Sequence, residues 1–125
     1  MIDVDKQVDY WRSGAREDWA VGTGLVDNGR VRHDLFFARL ALDKALKALV
    51  SRHTRDLPPR IHNLGRLVEL AGLDPSADHR NALAEMTSFN IDGRYPDTLA
   101  APPNKQEAQR YLARAERVFE WLMTQ

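Results

Sequence analysis

The sequence has no cysteine among its 125 residues, which excludes disulfides, thiolate nucleophiles and cysteine-ligated zinc. It also has no excess of charge, because 18 basic residues balance 18 acidic ones. A protein that coats nucleic acid is usually basic, so any contact with RNA must be local. The four histidines lack the spacing of a helical metal pair, and we expect neither a metal site nor a cofactor.

Long apolar runs are missing as well. No stretch approaches the roughly 18 residues that a membrane span needs, and the first residues, Met-Ile-Asp-Val-Asp, are polar and acidic. We therefore expect a cytoplasmic protein without membrane contact. The hydrophobic fraction of 43% is ordinary for a soluble protein, and the length predicts a single domain, residues 1–125, with one core.

What the sequence does have is helical periodicity, without the alternation that is typical of strands. It predicts an all-α antiparallel up-and-down bundle of four to five helices. The expected segments are about 5–26, 30–53, 61–71, 74–89 and one from Asn104 to the end of the sequence.

The second segment carries two apolar stripes side by side, which indicates a central helix packed on two sides. These stripes consist of Leu35, Leu42, Leu46 and Leu49, and of Phe37, Ala41, Ala45 and Ala48. Stop and start signals lie elsewhere in the chain: Gly29 and Gly72 favour helix ends, Asp74-Pro75 a helix start, and Asn104 with Glu107 a capping box.

The connector between the second and third helices, residues 55–64, reads Arg-Asp-Leu-Pro-Pro-Arg-Ile-His-Asn-Leu. Arginine can clamp a phosphate, and histidine can move a proton near neutral pH. In a metal-free cleavage of RNA, His62 would act as the general base, Arg55 would stabilise the developing charge, and Asp56 would hold Arg55. The alternative is structural: His62 begins the third helix with its ring bonded to a neighbouring carbonyl, and the arginines are solvated.

A local basic cluster surrounds this connector, and it could hold a nucleotide phosphate or an RNA backbone. It consists of Lys44, Lys47, Arg52, Arg55, Arg60 and Arg66. A solvated helix edge is the alternative. The carboxylates of Asp18 and Asp43 lie near apolar helix faces, so each is expected to pair with a lysine or arginine.

A long loop is expected over 91–103, and it contains Arg94 and Tyr95. These residues offer a phosphate fork and a stacking face, or alternatively they anchor the loop to the core. Our candidate nucleotide- or RNA-binding residues are Lys44, Lys47, Arg60, Arg94 and Tyr95.

In their order, these elements resemble the HEPN domain family over nearly the whole chain. The resemblance rests on Trp11 and Glu17-Asp18-Trp19 in the first helix, on the second helix from Phe36 to Leu49, on Pro-Pro-Arg-Ile-His-Asn-Leu at 58–64, and on Gly-Arg-Tyr-Pro-Asp at 93–97. It implies a homodimeric bundle, often encoded beside a minimal nucleotidyltransferase as a toxin–antitoxin pair.

Many members of the family are metal-independent endoribonucleases with an arginine, four to six residues and then a histidine, a pattern that Arg55 and His62 match. The motif usually lies on helical backbone, and Pro58-Pro59 depart from that pattern, which puts the activity in doubt. The resemblance implies the helical partner of a minimal nucleotidyltransferase in a toxin–antitoxin or defence system, with ribonuclease activity as the enzymatic hypothesis. The alternative is a non-catalytic nucleotide- or protein-binding module.

Overall fold

The computed structural model describes residues 2–25, 31–87 and 104–125. Those ranges contain five α-helices and no strand: α1 (Val4–Leu25), α2 (Val31–Thr54), α3 (Leu64–Leu70), α4 (Ala77–Thr87) and α5 (Lys105–Thr124). The all-α prediction is therefore confirmed. None of these helices is both long and apolar enough to cross a bilayer.

Helix α2 lies at the centre of the bundle and contacts each of the other four helices. Both of its predicted apolar stripes face inward, although Phe37 is only half-buried. The side chains of Leu35, Leu42 and Leu46 are fully buried. Because the alanines between the leucines are small, neighbouring helices can approach α2 closely on two sides.

Helices α1 and α2 run in opposite directions, and so do α4 and α5. Asp5, near the start of α1, pairs with Arg55, just after the end of α2. On the other side of the bundle, Glu85 of α4 pairs with Arg114 of α5. Trp19 of α1 stacks on Phe119 of α5, with ring centroids 4.8 Å apart and planes at 6°. This contact closes the bundle between its first and last helices.

Two arginines bind the last turn of α5. Arg12 donates a hydrogen bond of 3.0 Å to the carbonyl of Met123, and Arg52 donates one to the carbonyl of Gln125. Cations are favourable at this end of a helix because the carbonyl groups there carry partial negative charge. Burial, reinforced by the nearby charges of Arg16 and Arg52, lowers the pKa of Arg12 below its ordinary value.

The helix starts agree only in part with the sequence signals. Asn104 and Glu107 form the expected capping box. Helix α3 begins at Leu64 rather than at Ile61, because the side chain of Asn63 accepts a hydrogen bond from the backbone N–H of Arg66 and caps it.

The predicted start of α4 at Asp74 is wrong. The helix begins at Ala77, and the hydroxyl of Ser76 accepts from the backbone N–H of His79. The carboxylate of Asp74 instead binds the guanidinium of Arg80 at 2.8 Å. The predictions made for Gly29, Phe89, Arg94 and Tyr95 lie outside the described residues.

Gly72 should be intolerant of a side chain. Its φ of +69° is in the left-handed region, and an added Cβ would lie 2.8 Å from atoms of the His53 ring. We expect Gly72→Ala to lower the free energy of unfolding by at least about 1 kcal/mol in a urea titration. Gly65→Ala is the control, because its Cβ would make only an ordinary contact within a helix and should be neutral or stabilising. Equal stabilities for the two variants would contradict this account.

Candidate functional site around His62

The connector, of which residues 55–63 precede α3, leads the chain from the end of α2 back along the same helix. Arg55 has a positive φ of 58°, and its backbone N–H still bonds to the carbonyl of Ser51. The hydroxyl of Ser51 donates to the carbonyl of Asp56, which fixes the reversal. The prolines that follow are half-buried and keep the chain extended. This path brings His62 to the middle of α2.

The imidazole of His62 meets the carboxylate of Asp43. Its Nδ1 lies 2.7 Å from Oδ2 of Asp43, although the two residues are 19 positions apart. The Asp43 side chain is fully buried, whereas the His62 side chain is 66% exposed. A carboxylate can only accept hydrogen bonds, so Nδ1 carries the hydrogen and donates it. In the neutral ring the lone pair therefore lies on Nε2, which has no partner among the described residues.

Two buried cations of α2 flank Asp43, one on each adjacent turn. Lys47 Nζ lies 2.9 Å from Asp43 Oδ1, and Arg39 Nη1 lies 4.0 Å from Oδ2. Arg39 also donates a hydrogen bond to the backbone carbonyl of His62. The side chains of Arg39 and Lys47 are only 6% and 7% exposed. Helix α2 therefore holds His62 both by its ring and by its backbone.

Lys47 connects this site to α1. Its ammonium lies 5.4 Å from the ring centroid of Trp11, within the range of a cation–π contact. It also lies 3.3 Å from His62 Nδ1. Both of those nitrogens are donors, so they do not bond to each other and instead share the carboxylate of Asp43.

The structure does not bring Arg55 to His62 within one chain. Twelve residues separate Arg55 from Asp43, which places their Cα atoms about 18 Å apart along the axis of α2. Arg55 points toward α1 instead, with its guanidinium 4.0 Å from the carboxylate of Asp5. The expectation that Asp56 holds Arg55 is wrong, because the Asp56 carboxylate accepts from the backbone N–H of Leu57.

The basic cluster expected from the sequence is divided among separate partners. Lys44 pairs with Asp18 at 2.7 Å, and Arg66 pairs with Glu69 at 2.8 Å. Arg60 is exposed, and the structure gives it no partner among the described residues. Of the candidate binding residues, Lys47 and Arg60 therefore lie closest to His62, one in space and the other along the chain.

Asp43 and Arg39 are functional candidates that the sequence reasoning did not select. Asp43 was expected to pair with a lysine or arginine, and its contact with Lys47 confirms this. Its contact with His62 was not predicted. The structural alternative, in which the His62 ring bonds a carbonyl, is wrong, because the ring bonds this carboxylate. The available signal was a carboxylate directly beside Leu42, inside a helix with two apolar stripes. No group of three or more histidine or acidic side chains in the described ranges is placed to bind a metal ion.

The fold and this site define a small helical-bundle protein with an exposed histidine held on a buried ion network. The model of the HEPN domain matches residues 8–125, so the chain belongs to the HEPN domain family.

Two solved structures share the fold. One is ST0689, an archaeal HEPN homologue, with a TM-score of 0.75 and 21% identity over 94% of this chain and 95% of that one. The other is TT1696 from Thermus thermophilus, with a TM-score of 0.77 and 26% identity over 94% of this chain and 97% of that one. No curated protein matches the sequence.

Removing the charge of Asp43 should destabilise the protein strongly. We expect Asp43→Asn to lower the free energy of unfolding by about 3–5 kcal/mol, because the buried ammonium of Lys47 would lose the carboxylate that lies 2.9 Å from it. Glu69→Gln is the matched control: it breaks an exposed pair with Arg66 and should change stability by less than about 1 kcal/mol. Urea titrations of both variants test this, and a small effect of Asp43→Asn would argue against a tightly coupled network.

Proposed function

We propose that this protein is the helical partner of a minimal nucleotidyltransferase in a cytoplasmic toxin–antitoxin or defence pair, and that the surface around His62 binds a phosphate group of RNA or of a nucleotide. The observation that carries the proposal is the exposed His62 ring, fixed by a fully buried carboxylate. Nε2 of the protonated ring can donate to a phosphate oxygen, and Nε2 of the neutral ring can accept a proton, in both cases without the ring moving. The exposed Arg60 of the same connector adds a positive charge that favours an anion.

Arg60 is the second residue proposed to contact the phosphate. It lies two positions before His62 on the same connector, and its side chain is exposed. A guanidinium can form a bidentate contact with phosphate oxygens, which a histidine cannot. In this proposal Arg60 takes the role that the sequence spacing had suggested for Arg55.

Metal-independent cleavage of RNA is the second candidate function, and the contact between His62 and Asp43 favours it. With the hydrogen held on Nδ1, Nε2 is the basic nitrogen and can take the proton of a ribose 2′-hydroxyl. Asp43 would stabilise the imidazolium that results. The separation of Arg55 from His62 favours non-catalytic binding instead, unless the charge-stabilising cation is Arg60 or belongs to a second subunit.

Binding is tested with a fluorescently labelled single-stranded oligoribonucleotide and with nucleotides, by fluorescence anisotropy and thermal shift. We expect His62→Ala and Arg60→Ala each to weaken binding about tenfold, as is typical for losing a hydrogen bond to a charged group. Arg55→Ala should stay within about twofold of wild type. If wild type binds neither probe, or if His62→Ala binds as tightly as wild type, the binding proposal is wrong.

Cleavage is tested with the same RNA in EDTA. Loss of intact RNA with wild type, but not with His62→Ala, would support the ribonuclease. If the wild-type protein binds the RNA but leaves it intact, the ribonuclease hypothesis is wrong and the protein is a non-catalytic binding module.

The paired state has its own tests. We propose a homodimer, as the family resemblance implies, and expect light scattering to give twice the chain mass of 14.3 kDa. Co-expression with a nucleotidyltransferase encoded next to this gene should give a stable complex. A strict monomer at high concentration, or no complex with such a neighbour, would count against the pairing.

A further inference from the structure

A groove of about 470 Å³ runs along α1 next to the His62 site. Tyr10 and Trp11 form its aromatic wall, and Lys44 of α2 borders it on the other side. Trp11 belongs to both places, because Lys47 lies over its ring and also lies 3.3 Å from His62. The buried Lys47 therefore lies between Trp11 at the edge of the groove and the exposed ring of His62.

Gly14 shapes the floor of this groove. A Cβ at this position would lie only 3.1 Å from Cδ of Lys44, so a larger residue would push the lysine away. With glycine in place, the Lys44 chain crosses α1 and reaches Asp18, where its ammonium is 2.7 Å from the carboxylate. The charge of Lys44 is thereby neutralised, while its methylene chain remains as an apolar border.

Tyr10 is the most exposed of the large apolar side chains in the described residues, at 67%. Its ring meets the Trp11 ring edge to face, with centroids 5.1 Å apart and planes at 80°. This contact orients the Tyr10 ring although most of its surface is in solvent. An aromatic ring that is held in place but contributes little to the core is suited to stacking with a planar ligand.

The charges of the groove exclude a phosphate as its main occupant. Lys6 lines it, but so do the carboxylates of Asp9 and Glu17, and Lys44 is already paired. The groove is thus not cationic, whereas the connector that carries His62 also carries the exposed guanidinium of Arg60. A neutral planar group fits the groove, and an anion fits the surface around His62. A nucleotide of single-stranded RNA contains both parts, a base and a phosphate, joined covalently.

We propose that the groove is a nucleobase-binding site in which one base of single-stranded RNA stacks on Tyr10 while the adjoining phosphate contacts His62. This inference rests on the proposed function and adds to it the binding of a base. Carboxylates at the groove wall can accept hydrogen bonds from the amino and imino groups of a base.

The test measures the affinity of Tyr10 variants for a labelled ten-nucleotide RNA by anisotropy. Tyr10→Ala and Tyr10→Leu should weaken binding about thirtyfold, the middle of the range for losing one stacked base, and Tyr10→Phe should bind like wild type. Val21→Ala is the matched control, since Val21 is an exposed apolar residue of the same helix outside the groove, and it should leave binding unchanged. With an abasic oligomer of the same length, wild type and Tyr10→Ala should bind equally.

The outcomes separate this inference from the proposed function. If wild type binds RNA and His62→Ala weakens it, but Tyr10→Ala does not, the base site is wrong and the phosphate site stands. If wild type does not bind RNA, the proposed function fails. If Tyr10→Ala changes the oligomeric mass in light scattering without changing RNA affinity, the Tyr10 surface is a contact between copies of this chain, which also overturns the base site.

Discussion

The buried carboxylate of Asp43 is the constraint on which the local structure depends. A carboxylate taken out of water costs several kcal/mol unless charges and hydrogen bonds surround it. Two of its partners, Arg39 and Lys47, are supplied by helical spacing alone, because they lie four residues away on either side. The third partner, His62, must come from another segment. The path of the connector as far as His62 follows from that requirement.

The burial of Asp43 explains the orientation of the His62 ring, whether or not the ring does chemistry. The packing does not require the rest of the ring to be exposed on a connector that also carries the exposed Arg60. The exposed side of the His62 ring therefore supports a function. Its hydrogen bond to Asp43 does not, because a purely structural histidine would make the same bond.

Much of the fold could be predicted because it depends on local patterns. The stripes of α2 and the capping box of Asn104 and Glu107 are properties of neighbouring residues, and they appear as expected. The start of α4 could not be decided in this way, because Asp74 and Ser76 are both good N-cap residues. The side chain of Arg80 is long enough to bind the Asp74 carboxylate, and Ser76 then accepts the hydrogen bond at the start of the helix. The expected basic cluster counted charges along the chain, whereas four of its six members pair with carboxylates from several elements.

The site itself was predictable only in part. Residue spacing identified His62, and apolar context identified Asp43 as a paired carboxylate, but their contact depends on a chain reversal that no spacing encodes. The same reversal separates Arg55 from His62, which are close in sequence. Pro58-Pro59 did indicate that the motif could not be helical, and residues 55–63 are not helical in the structure.

Those prolines have a consequence for the unfolded chain. Each one fixes a backbone angle and restricts the residue before it, so the connector has fewer conformations to lose when it folds. Fixing an ordinary residue costs about 1–2 kcal/mol of conformational entropy, and a connector without prolines would oppose the docking of His62 by more. The exposed histidine is thus held in place partly by stiffness that already exists before the protein folds.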